Sequence, residues 1–251
     1  MKIGIIGTGA IGGTLAKKLA AAGHDVKVTN TRQPQQLAQI AKELGATPAT
    51  IEEVVNGVEV VIVSVPTFAI PKLPENFLRD LPADVIVVDT SNYYPVRDGE
   101  MEELKKGKVE SAWVSEQLGR PVVKAFNDLL AHTLQHLGKA EGEEGRIAIA
   151  VSGDDENAKK LVSGLINDTG FDAVDAGSLA DSWRSEPGTP AYCTELSVGE
   201  LRQALADAVK ENGAVLRDRA ITKIMERATP MPHEEVVALN RSLFTGNRKK
   251  D

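Results

Sequence analysis

Only one cysteine, Cys193, occurs in 251 residues. That excludes an intrachain disulfide and a cysteine-based metal cluster. Positive charge is not in surplus: 29 Lys and Arg stand against 36 Asp and Glu, for a net charge of −7. Neither nucleic acid nor an anionic membrane surface is therefore an expected partner. No apolar run approaches the length of a membrane span. The first apolar run starts at Lys2, which leaves no room for a signal peptide and makes the cytoplasm the expected compartment. Internal repeats and low-complexity linkers are absent too. What is present is an ordinary globular composition, 42% hydrophobic and 26% charged, with ample length for a core.

The chain is organised around its opening stretch. Residues 2–6 are an apolar run of strand length, too short for a helix. Gly7-Thr8-Gly9-Ala10-Ile11-Gly12 then supplies G-x-G-x-x-G, followed by a helical pattern with Ile11, Leu15, Leu19 and Ala22 on its apolar side and Gly23 as its stop. Residues 25–29 read as a second strand. Strand, glycine turn, helix and strand within about thirty residues is the unit that wraps a dinucleotide pyrophosphate. Gly7 allows the tight turn, Gly9 lets the backbone reach the phosphates, and Gly12 lets helix and strand pack closely. The backbone of Thr8, Ala10 and Ile11 faces the anion at the helix start.

The second strand ends without the Asp or Glu that accepts the ribose hydroxyls in an NAD site. Asn30-Thr31-Arg32 stands there instead. A carboxylate would repel a 2′-phosphate, whereas Thr31 donates a hydrogen bond and Arg32 offers a planar fork. The reading is NADP(H), with a plain solvated cation as the competing view of Arg32.

Strand and helix patterns then alternate. Helix is expected over 35–44 with Gly45 as its stop, and from Thr50, where Glu53 completes a capping box. Residues 59–65 are almost all β-branched, as suits a strand buried on both faces, and Pro66 ends them. Residues 68–81 read as short helix broken by proline, 85–89 as strand, 100–108 and 111–118 as helices, and 121–127 as a strand ending in a loop. Two polar clusters, Ser64-Val65-Pro66-Thr67 and Asp89-Thr90-Ser91-Asn92, fall at strand C-terminal edges, where doubly wound sheets bind ligands. Turn chemistry alone is the competing reading of both. Lys124, at the end of an apolar run, needs a partner or a ligand. His132 and His136 share one face of a helix expected over 128–137, but no third ligand follows nearby, so no metal site is assigned. Strands over 146–152 and 171–175 flank a helix over 154–167. The expectation is a doubly wound, mostly parallel α/β sheet with one continuing core.

Beyond Gly177 the pattern changes. Residues 182–192 form a loop rich in Pro, Arg and aromatics, either functional or simply burying Trp183 and Tyr192. Helices are expected over 197–211, 216–228 and 233–244, with a frayed tail over 246–251. The implied division is a dinucleotide-binding domain over 1–192 and a C-terminal helical extension over 193–251.

Taken in order, the segments around Gly7–Gly12, Asn30–Arg32, Ser64–Pro66, Asp89–Asn92 and Lys124-Ala125-Phe126-Asn127 resemble the NADPH:deazaflavin (coenzyme F-420) oxidoreductase family, whose domain also occurs in eukaryotic membrane ferric reductases. The resemblance covers roughly residues 1–190. It implies a Rossmann-type fold, with NADP held by Thr8, Thr31 and Arg32 and the nicotinamide near Ser64, Val65 and Pro66. Asn92, Lys124, Ala125 and Asn127 would line the cofactor from the neighbouring strand ends. The helices after Thr194 look like an addition to the family pattern.

The function this implies is hydride transfer between NADPH and a small-molecule acceptor, a flavin or deazaflavin. Ring-to-ring transfer needs stacking more than an acid or base. His132 is the candidate contact to the acceptor. Competing readings are a small-molecule reductase of the β-hydroxyacid dehydrogenase or imine reductase type, and a non-catalytic NADPH sensor. A helical extension that cannot bury both its faces alone points to a homodimer.

Overall fold

Apolar side chains alternate along a set of short strands and so cover both faces of one sheet. The strands are β1 (Lys2–Ile6), β2 (Asp25–Thr29), β3 (Thr47–Pro48), β4 (Val60–Val63), β5 (Ile86–Asp89) and β6 (Val123–Lys124). They pair in parallel in the order β3-β2-β1-β4-β5-β6. This is the doubly wound order, and it reverses direction between β1 and β4. The computed structural model describes residues 1–245 of the chain.

Ile3, Ile5, Val60, Ile62 and Val88 face one core, and Ile6, Val61, Val63 and Val87 face the other. The first core is closed by α1 (Ala10–Ala21), α2 (Pro34–Leu44) and α7 (Glu156–Asp168), the second by α5 (Glu110–Leu118) with Trp113. Helix α1 buries Gly12, Gly13, Leu15, Ala16 and Leu19. Ala22, expected on that buried side, is exposed because the helix ends one residue before it. Gly45 closes α2 with a left-handed φ of 71°.

Several expected elements are shorter than their patterns suggest, each for a local reason. The capping box forms, with Thr50 N–H donating to Glu53 at 3.0 Å and Glu53 N–H to Thr50 at 3.2 Å, yet the chain makes only turns through Gly57. The Val54 carbonyl lies so close to β1 that a Cβ on Gly4 would stand 2.2 Å from its oxygen. Sheet packing thus overrides the helix start. Of residues 68–81, only a 3₁₀ turn over Thr67–Lys72 forms, with Pro71 inside it. The span 100–108 contains α4 (Glu102–Lys105), preceded by α3 (Pro95–Asp98). Strand β6 stops after two residues, because Phe126 takes a left-handed φ of 60° and turns the chain out of line.

The sheet does not continue unbroken beyond β6. β7 (Ala148–Val151) and β8 (Asp172–Asp175) form their own parallel pair, tied to β6 by a single antiparallel bridge between Lys124 and Ser152. Between β6 and β7, α6 (Ala131–His136) is shorter than its 128–137 pattern, and the Asp128 carbonyl accepts the Cys193 N–H instead of a helical one. On β7 and β8 pack Leu201, Ala204 and Leu205 of α8 (Val198–Ala206), which starts at a Ser197–Glu200 capping box. Then come α9 (Lys210–Met225) and α10 (His233–Thr245). Helix α9 buries only Ala220. The expected frayed tail over 246–251 lies outside the described residues. Among those residues, no helix is long and apolar enough to cross a membrane.

Candidate cofactor site

The turn after β1 has the geometry its glycines predict, and two of them bring a second strand into it. Gly7 has φ 104°, and a Cβ there would stand 2.2 Å from the Ser64 carbonyl oxygen. A Cβ on Gly12 would stand 2.1 Å from the Gly7 carbonyl oxygen and 2.9 Å from the Ser64 Cβ. Only glycine lets the turn, the first turn of α1 and the end of β4 meet this closely. Gly9 differs: no atom lies within 4 Å of where its Cβ would be.

Helix α1 starts at Ala10 and Ile11 with Gly9 as its N-cap, without a side-chain cap and without an acidic residue in the first turn. Its free N–H groups and positive dipole end therefore face open space, which suits a pyrophosphate. The loop after β2 lies beside it, because the Gly7 N–H donates to the Thr29 carbonyl at 2.9 Å. Asn30 reaches across to Thr8, its Nδ2 donating to Oγ1 at 2.6 Å. Thr31 and Arg32 are exposed, and no ion pair among the described residues engages Arg32. The residues present fit an NADP(H): the uncapped start of α1 offers N–H donors for a pyrophosphate, and exposed Thr31 and Arg32 offer a hydroxyl and a cation for a 2′-phosphate.

The next strand ends converge on Asn92. Its carbonyl accepts Thr67 Oγ1 at 2.9 Å and Arg97 Nη2 at 2.6 Å. Its side-chain amide donates to the Asn127 carbonyl at 2.9 Å, and its Oδ1 accepts Asn127 Nδ2 at 3.2 Å. Asn127 Nδ2 also reaches the Ser185 carbonyl at 2.8 Å. Ser64, Val65 and Pro66 border the same edge, Pro66 exposed and the other two half-buried.

Two expected ligands do not present their side chains. Lys124 is 1% exposed, with Nζ 3.1 Å from Asp89 Oδ2 and bonded to the Ser91 carbonyl, so the partner it needs is inside the protein. Ala125 is fully buried. Both back the site rather than line it. His132 is exposed on α6, where its ring packs 4.1 Å from His233 and 4.7 Å from His136. Its ring contacts are with these two histidines. Among the described residues, no group of three or more His, Cys, Asp or Glu could hold a metal ion.

Sequence reasoning missed a hydroxyl pair beside Asn92. Tyr94, just after β5, and Tyr192, in the aromatic loop, place their Oη atoms 2.5 Å apart, and Asn92 Nδ2 stands 3.4 Å from that of Tyr192. Burial pushes both hydroxyls above the ordinary tyrosine range, so both stay protonated near neutral pH. Tyr93 also meets a carboxyl pair, Glu110 buried and Glu186 half-buried. The Glu110 N–H donates to Glu186 Oε1 at 2.7 Å, and the Tyr93 N–H to Glu110 Oε2 at 3.0 Å. Burial, and then the neighbouring Glu186, hold Glu110 well above the usual carboxylate range. The only sequence signal for these groups was the density of aromatic and charged residues over 182–192.

Residues 2–93 match the protein family described as NADP oxidoreductase, coenzyme F420-dependent. The Escherichia coli (strain K12) protein YjhV is 36% identical over 110 residues, which span 44% of this chain and 80% of that protein. Metalloreductase STEAP3 of Rattus norvegicus is 32% identical over 182 residues, 72% of this chain and 35% of that protein. A crystal structure from Arthrobacter sp. FB24, described as an F420-dependent NADP-reductase, superposes with a TM-score of 0.60 at 28% identity, covering 72% of this chain and 87% of that one.

Proposed function

The chain belongs to the coenzyme F420-dependent NADP oxidoreductase family and is an NADP-dependent oxidoreductase, and from that premise we propose that it passes a hydride between NADPH and a flavin- or deazaflavin-like acceptor. One observation carries the reading: the glycine turn, Ser64 and Asn92 meet at a single sheet edge, with an uncapped helix start on one side and tyrosine hydroxyls on the other. Bound NADPH supplies the hydride. The chain's share is to anchor and aim. Thr8 and the N–H groups of Ala10 and Ile11 hold the pyrophosphate, and Thr31 with Arg32 reads the 2′-phosphate. Ser64, Val65 and Pro66 set the height of the nicotinamide ring against Asn92 and Asn127. Positioning of this kind lowers the barrier without a strong acid or base.

The test is NADPH oxidation, followed at its own absorbance, with deazaflavin, FMN and riboflavin offered in turn. Turnover with one of them supports the reading. NADPH binding without any turnover would overturn the flavin-like acceptor and move the assignment to a small carbonyl or imine.

The division at residues 192 and 193, a cytoplasmic setting and a homodimer belong to the same reading. Val209, Val215 and Met225 are 51%, 69% and 64% exposed, and all three lie on α9 or directly before it. Exposed apolar side chains spread along a helix with one buried residue support a second copy packing there.

A further inference from the structure

Asn30 is the first residue beyond β2, where a site for unphosphorylated dinucleotide would carry a ribose-binding carboxylate. Here both ends of its side chain are used within the chain. Nδ2 donates to Thr8 Oγ1 at 2.6 Å, and Oδ1 accepts the Arg32 backbone N–H at 2.8 Å. The orientation of the amide is not arbitrary: a backbone N–H can only donate, so the oxygen must face Arg32 and the NH₂ must face Thr8.

Each bond has a consequence. A threonine oxygen that accepts from Asn30 keeps its own proton free, and that proton belongs to the turn where the pyrophosphate rests. The bond to Arg32 closes a local Asx turn and holds the backbone that carries the guanidinium. We propose that Asn30 is a positioning residue that couples the two halves of NADP recognition: it keeps Thr8 a donor to the pyrophosphate and Arg32 in register with the 2′-phosphate, and so sets the preference for NADPH over NADH. This rests on the NADP reading of the site.

The isosteric change is the informative one. In Asn30→Asp the side chain only accepts, so Thr8 must turn its proton inward, and a negative charge appears beside the 2′-phosphate. Dissociation constants for NADPH and NADH are measured by titration on the full chain for wild type, Thr8→Val, Asn30→Ala, the double variant and Asn30→Asp, with melting temperatures alongside. Asn30→Ala should weaken NADPH about tenfold and NADH less, the scale of one lost charge-assisted contact. Thr8→Val should cost about tenfold in the wild-type background and under about twofold in Asn30→Ala, because the coupled residues act as one unit. Asn30→Asp should lower the NADPH-to-NADH preference by about a hundredfold with little change in melting temperature.

Independent, multiplying losses for Thr8→Val and Asn30→Ala would overturn the coupling. So would an Asn30→Ala variant that binds both dinucleotides as wild type does, or one that loses NADPH alone with Thr8 still fully contributing. Wild-type protein that binds neither dinucleotide would instead overturn the NADP reading itself, and the brace with it.

Discussion

Lys124 and Asp89 form an ion pair inside the sheet, 3.1 Å apart with side chains 1% and 0% exposed, and Ser111 Oγ donates to the same carboxylate oxygen at 2.6 Å. Removing one partner leaves a buried charge uncompensated, which costs roughly 3–5 kcal/mol. Lys124→Met and Asp89→Asn should each lower the denaturant midpoint strongly, and the double variant by less than the sum. Additive losses would show that the two charges do not depend on each other.

Arg32 is exposed and no ion pair among the described residues holds it, so its charge is available to a ligand. Arg32→Glu should weaken NADPH by at least about a hundredfold while NADH changes by less than about threefold. Equilibrium titration of both dinucleotides checks this, and equal losses would remove the 2′-phosphate role.

Gly9 and Gly12 should separate binding from stability. Alanine at position 12 would collide with the Gly7 carbonyl and Ser64 and should lower the melting temperature as well as affinity. Alanine at position 9 meets nothing within 4 Å, at an ordinary φ of −72°, and should leave melting unchanged. Its methyl group should still weaken dinucleotide binding about tenfold or more if the phosphates come as close as the turn allows. Calorimetric melting and titration on the same samples decide it.

Burial pushes the Asp128 carboxyl up to about 7, against the help of the Ala150 N–H bonded to it at 2.9 Å. A folded state that holds its proton more tightly than the unfolded chain gains stability that is fully present below about pH 4 and is lost as pH rises through about 7. Glu110 and Glu186 act with the same sign. Urea midpoints should therefore fall between about pH 4 and about pH 7 by this contribution. Asp128→Asn keeps an acceptor for Ala150 and should flatten part of that fall. An unchanged slope would show that Asp128 is not among its causes.

Val215 and Met225 should matter to assembly. Val215→Asp with Met225→Asp should shift sedimentation from dimer to monomer without altering NADPH affinity. Wild-type protein that sediments as a monomer would remove the homodimer.

The glycine turn was legible because its signature lies within six residues and one helix start, although the approach of Ser64 that Gly7 and Gly12 permit comes from another strand. Lys124 was half legible: a buried lysine demands a partner, but identifying Asp89 takes the β5–β6 register across 35 residues. Thr50 and Glu53 show the opposite failure, a correct local signal overruled by the pressure of Val54 on Gly4. Tyr94 and Tyr192 meet from 98 residues apart, and no periodicity carries such a pairing. Likewise Phe126 is an ordinary aromatic in the sequence, and only the fold makes it left-handed and ends the strand.

Asn92 is joined at once to Thr67, Arg97, Asn127 and Tyr192. Two of those partners, Asn127 and Tyr192, are held by its side chain, so a replacement gives up both together, which makes it a poor place for gradual change. Divergence toward new hydride acceptors would instead begin at the rim, where Pro66 is exposed and Phe68 half-buried. Laboratory selection for a different acceptor should be expected to leave Asn92 alone and to collect its first substitutions there.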